Sequence, residues 1–284
     1  MTVRIGTVWD STQQVLAGRT SMLAPFAAIG FVLPSVLQLL LMPRGGMAAG
    51  HVGLPGLAVT ILSVVLGIWA QLAIMALATH PATTPAEASR AGFRRLFAVL
   101  GVAIALLIAF ALIVLVPFAV LGASGYDFNA AMAANGDPTK LPPMASGAAL
   151  FVLLYGLVIL VAALWLVARL MLVYAVVLNE GRELGAIRRS IVLTRGLTWR
   201  LLGAFLLFLI VISVATFAAQ SVLGAVLRLI LGPNQLGLAV GLATLVGSVI
   251  SAGFMTLAYV FIARLYVATA GEETIGREDG SPSL

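Results

Sequence analysis

The chain holds 284 residues, 62% of them hydrophobic and only 9% charged, with a mean hydropathy of +1.13. Soluble domains are about 45–50% apolar, so a water-soluble globular fold is excluded, and the absence of cysteine removes disulfides, thiolate metal sites and cysteine catalysis. The net charge of +6 and pI near 10.5 would suit nucleic acid, but no soluble domain is present to carry such a surface, and loops facing anionic lipid account for the basicity more simply.

Apolar runs of about 20 residues or more recur along the chain and predict an all-α integral membrane protein. Transmembrane β-strands would alternate over about 10 residues, and none does. Residues 5–17 read as an amphipathic surface helix, with Ile5, Val8, Trp9, Thr12, Val15 and Leu16 on one face. Asp10, Gln13 and Gln14 stand where the apolar core of a cleavable signal would begin, which argues against one. The first span follows over about 21–42, with Pro25 and Pro34 liable to kink it. A Gly-rich loop leads to a second span over about 57–79.

Thr84-Pro85-Ala86-Glu87 reads as a capping box with proline at the first helical position, opening a short basic helix over 84–95. The third span covers about 96–121. The longest polar loop, 122–146, contains the turn Asn135-Gly136-Asp137-Pro138. A fourth span over about 147–178 carries Arg169 inside its apolar register. A basic surface helix over 182–195 and a fifth span over about 201–219 come next. A lip helix or loop over 220–235 and a sixth span over about 236–270 complete a single membrane domain, 1–270, before a polar tail, 271–284.

Basic residues divide unevenly between alternate sides of these spans. Arg4, Arg19, Arg90, Arg94, Arg95, the arginines of 182–200, Arg264 and Arg277 fall on one side; Arg44, Lys140 and Arg228 fall on the other. The positive-inside rule then places both termini in the cytoplasm and pairs about six spans into three hairpins. A surface segment (5–19, 84–95, 182–200) precedes each hairpin, which reads as a repeat of about 90–100 residues.

Chemistry is sparse. The acidic residues fall in loops, surface helices or the tail, and His51 and His80 fall on opposite faces of the membrane. No metal-ligand spacing, nucleophile elbow or phosphate-cradling loop occurs, so no catalytic site, metal or cofactor is expected. Ion-coupled carriers keep an ionisable group within the membrane, and only Arg169 qualifies. It reads either as a snorkelling residue near the cytoplasmic end of its span or as an anchor for a lipid phosphate between spans. Small residues at Gly237, Gly241, Thr244, Ser248, Ser251 and Ala252 mark the sixth span for close helix packing. Trp9, Trp69, Trp165 and Trp199 fall near span ends, where an interfacial belt accounts for them.

The stretch 179–200, NEGRELGAIRRSIVLTRGLTWR, holds five of the 16 Lys and Arg residues. As a helix it would show a narrow apolar stripe of Leu184, Ile187 and Ile191, with Arg188 and Arg195 on its margin. No Asp or Glu stands three or four positions from Arg182, Arg188, Arg189 or Arg195, so intrahelical ion pairs are not open to them. Phosphate is therefore the expected company of Arg182, Arg188, Arg189, Arg195 and Arg200, joined by Arg94, Arg95 and Arg169.

The run from Arg169 through VYAVVLNEG to AIRRSIVLTRGLTWRLLG resembles the membrane-domain family named after glycerophosphoryl diester phosphodiesterase. The match rests on Glu180, Gly181, Ala186, Arg188, Arg189, Ser190, Leu193, Thr194, Gly196, Trp199 and Arg200, and covers about 35 residues. In members of that family that hydrolyse glycerophosphodiesters, a separate soluble barrel carries the chemistry. The resemblance therefore implies a stand-alone membrane part of a bacterial inner-membrane protein and no hydrolase activity. The expected function is non-enzymatic binding or organisation of anionic phospholipid. Two alternatives stand beside it: an accessory or assembly subunit of a larger membrane complex (or a homo-oligomer), and a passive permease or lipid translocator.

Overall fold

A computed structural model of the chain describes residues 3–41, 54–134, 137–232 and 235–278. The Gly-rich loop with Arg44 and His51, the Asn135-Gly136 half of the turn, Pro233 and the end of the tail lie outside the described residues. All regular structure among the described residues is helical. Six helical runs are long and apolar enough to cross a membrane, as a multi-pass membrane protein requires.

The first run joins α1 (Ile5–Ala27), a π-helical turn (Ala28–Val32) and α2 (Leu33–Leu41). Arg19 leaves the helical region inside α1, with φ −132° and ψ 15°, where the surface helix was expected to give way to the first span. The π-turn has a sequence cause. Pro34 lacks an N–H and its ring collides with the carbonyl four residues back, at Gly30, so the ladder widens there.

Helix α3 (Leu54–Thr79) stops at His80-Pro81. Helix α4 (Pro85–Ala123) begins with the capping box: Glu87 Oε2 accepts from the Thr84 N–H and hydroxyl, both at 2.9 Å. The expected boundary at 95–96 is absent, because no helix breaker separates the basic segment from the apolar one. A short α5 (Phe128–Ala133) is capped by Asp127 and a 3₁₀ turn (Pro138–Lys140) by Asp137. Hydrogen bonds from the Thr139 hydroxyl and N–H, with Lys140 beside it, hold the Asp137 carboxyl below its usual pKa.

The apolar segment expected as one span over 147–178 is two helices, α6 (Ser146–Leu170) and α7 (Val173–Glu180). Helix α8 (Gly185–Leu193) is followed by α9 (Thr198–Leu231) and α10 (Leu236–Glu278). The lip expected over 220–235 is helical through Leu231, and Gly232, at φ 75°, ends it. Helix α10 likewise continues into the expected tail, to Glu278.

The chain divides into two compact units, 101–167 and the remainder. In the smaller unit the apolar residues of α4 and α6 are exposed along most of their length, and the Tyr155 hydroxyl donates to the Ile113 carbonyl at 2.8 Å. The larger unit carries the core. The second half of α3 is buried from Trp69 to Thr79, against Val173–Leu178 of α7, Val260–Tyr266 of α10, and Val8, Leu23 and Phe26 of α1. The basic start of α4 joins it through Ala88, Gly92, Leu96 and Val99, spaced for one helix face, with Gly92 against Trp69.

Between apolar helices in lipid, close approach rather than water exclusion supplies the attraction. Helix α10 packs most extensively on α9, where Ala239, Gly241, Ala243 and Gly247 are buried and Gly224 faces Ala243. Of the residues expected to pack, Gly241 is buried and Gly237 and Ser248 are half-buried. The tightest crossing is elsewhere: a Cβ on Gly30 would stand 2.1 Å from Ala70 Cβ, whereas one on Gly67 would meet only the Gly30 carbonyl, at 3.9 Å. Gly30→Ala is therefore expected to destabilise by about 1–3 kcal/mol, read as several degrees in detergent thermal unfolding, while Gly67→Ala leaves the midpoint within about one degree.

Candidate functional site

Four of the expected lipid-binding arginines, Arg95, Arg169, Arg182 and Arg189, meet at the junction of α6, α7 and α8, and the fold sorts the whole set into two groups. Helix α6 breaks after Leu170, so the Arg169 carbonyl lies at a helix end within an apolar segment, where an unmet acceptor costs several kcal/mol. The Ser190 hydroxyl donates to it at 2.7 Å, with the Thr194 hydroxyl at 3.4 Å. In return Arg169 Nη1 donates to the Ile191 carbonyl of α8 at 2.9 Å. Backbone and side chain of one residue are thereby tied to the same turn of another helix. Arg169 here joins two helices, a role that neither reading of the sequence contained.

Glu180 closes α7 and collects three partners. Arg189 Nε donates to Oε1 and Arg182 Nε to Oε2, each at 3.0 Å, and the Tyr266 hydroxyl of α10 donates to Oε1 at 3.3 Å. Next to it Gly181 adopts φ 70°, the left-handed cap that an L side chain resists. The Arg95 guanidinium packs on that glycine; a Cβ there would stand 2.6 Å from Nη2. Arg182 and Arg189 thus have a carboxylate partner after all. The spacing rule missed it because Glu180 reaches across the Gly181 turn, not along a helix.

Two further arginines of the larger unit bond inward. Arg19 Nη1 donates to the carbonyls of Leu77 (2.7 Å) and His80 (3.2 Å) at the end of α3. Arg264 Nη2 donates to Ser11 Oγ of α1 at 2.9 Å. Cations on carbonyls at helix C-termini are favourable on both hydrogen-bond and dipole grounds.

The second group points away from the protein. Arg94, Arg188, Arg195 and Arg200 are exposed and make no hydrogen bond or ion pair among the described residues. The inward face of α8 is Ala186, Ser190 and Leu193, continued by Thr194, in place of the expected Leu184–Ile187–Ile191 stripe. Ser190 and Thr194 are drawn inward by the Arg169 carbonyl, and Ala186 is small enough to let α8 approach. Leu184 (61% exposed), Val192 (49%) and Trp199 (81%) therefore lie outward with Arg188, Arg195 and Arg200. Leu184, Arg188 and Val192 share the outer side of α8; Arg195 follows in the turn, and Trp199 and Arg200 are exposed at the start of α9.

The inward residues should behave as one unit. Ser190→Ala is expected to destabilise by about 1–2 kcal/mol and Arg169→Met by about 2–3 kcal/mol. The double variant should cost less than their sum, because the two hydrogen bonds hold the same pair of helix turns together; thermal unfolding of the three proteins checks this. Comparison with family models, with curated proteins and with solved structures finds no match to the chain.

Proposed function

We propose that the chain is a non-enzymatic bacterial inner-membrane protein, with both termini cytoplasmic, that binds or organises anionic phospholipid through the exposed side of α8 and the adjoining start of α9. One observation carries this reading: within the stretch 184–200, Leu184, Val192 and Trp199 are exposed, and so are Arg188, Arg195 and Arg200. Such a surface suits the boundary between acyl chains and headgroups. Trp and Leu enter the apolar side while guanidinium groups meet phosphate, often through two parallel hydrogen bonds. Arg94 adds to the same chemistry from the start of α4.

Other features support the reading. The described carboxylates with clear partners have structural work: Glu87, Asp127 and Asp137 cap helices, and Glu180 holds two arginines. Arg188, Trp199 and Arg200, three outward residues, also belong to the motif that resembles the phosphodiesterase membrane-domain family, and kinship with that family is part of the proposal.

A juxtamembrane arginine near an anionic surface contributes about 1 kcal/mol, or roughly a fivefold change in affinity. The triple variant Arg188→Gln/Arg195→Gln/Arg200→Gln should therefore lose most of its phosphatidylglycerol in native mass spectrometry from mild detergent. Arg228→Gln, at the far end of α9, should lose none. Unchanged retention in the triple variant would refute the proposal.

A further inference from the structure

A cleft of about 300 Å³ opens among the membrane-spanning helices of the larger unit, away from the arginine junction. The π-helical turn with α2, the middle of α3, and α10 form its three walls, and Gly30, which crosses close to Ala70, is part of the lining. The lining contains Ser35, Ser63, Ser248, Ser251 and Tyr259 and no ionisable carboxylate, imidazole, amine or guanidinium. On α10 the sequence places Ser248, Ser251, Met255 and Tyr259 on one helical face.

The hydroxyls differ in what they leave available. Ser35 donates to the Phe31 carbonyl (3.2 Å), Ser63 to Val59 (2.6 Å) and Ser248 to Leu245 (2.7 Å). Their protons are engaged, so these oxygens can only accept. Ser63 Oγ already receives a long contact of 3.5 Å from Gln38 Nε2. The hydroxyls of Ser251 and Tyr259 make no hydrogen bond among the described residues and can both donate and accept. Acceptors on two walls and free hydroxyls on the third suit a ligand group that does both, with no charge to match. An alcohol has that character. The cleft's size, at the small end of ligand pockets, suits a group of about ten non-hydrogen atoms.

We propose that this cleft binds an uncharged, hydroxyl-bearing molecule: either the headgroup of a neutral glyceride lipid or a small free polyol. The two share one chemistry and differ in the phase from which they enter.

Native mass spectrometry of the full chain from phosphatidylcholine nanodiscs, whose headgroups carry no hydroxyl, distinguishes them. Dioctanoylglycerol, erythritol and octyl acetate, which lacks a hydroxyl, would be added separately. A one-to-one adduct with dioctanoylglycerol assigns the site to a membrane lipid, and one with erythritol assigns it to a solute. Ser63→Ala/Ser248→Ala keeps the volume and should weaken the adduct severalfold. Gly67→Leu, whose Cβ has room, should abolish it by filling the cleft. No adduct with either hydroxyl probe, or equal binding of octyl acetate, overturns the proposal. Should Gly67→Leu fail to fold, the serine pair decides: undiminished binding in that variant likewise overturns it.

Discussion

A carbonyl left at the end of a broken helix inside an apolar segment is the constraint around which the junction is arranged. Within an apolar segment such an acceptor needs a partner from the protein itself. Ser190 meets that need, and the demand fixes which face of α8 turns inward. Once Ser190 and Thr194 point at Arg169, the spacing of a helix sends Leu184, Arg188 and Val192 outward. Arg169 returns a hydrogen bond to Ile191, so neither helix can rotate without breaking both contacts. The orientation of the outer face follows from a local hydrogen-bonding need.

The same logic divides the family-like motif into residues that build and residues that display. Gly181 supplies a left-handed turn, Glu180 gathers Arg182 and Arg189, and Ala186 and Leu193 pack. Arg188, Trp199 and Arg200 do none of this. A segment with only a building role would have no cause to present tryptophan and arginine side by side on its exposed face. The lipid reading explains that pairing.

Much of the architecture was legible because it depends on short-range signals. Apolar runs mark the six helices long and apolar enough to cross a membrane, and Thr84 to Glu87 forms the capping box its spacing predicted. The break between α6 and α7 was not legible, since no glycine or proline stands at 170–172. Tertiary contacts with α8 take the place of a local breaker. The face of α8 was misread for a related reason: polarity argues for solvent, but Ser190 answers a part-buried acceptor from a residue more than twenty positions away. The serine cleft lay further out of reach, because its lining comes from three separate parts of the chain.

Hydrogen bonding to a neutral carbonyl engages an arginine without cancelling its charge. Arg19 and Arg169 are geometrically occupied by carbonyls, which carry no net charge; Glu180 is the carboxylate that faces Arg182 and Arg189, with Arg95 close by. The inward arginines therefore still contribute to the electrostatic potential outside the protein. That potential extends about 8 Å at physiological ionic strength before screening removes it. On the proposed lipid reading, the occupied arginines would attract anions from a distance, with strong dependence on salt, and the exposed ones would make the contact.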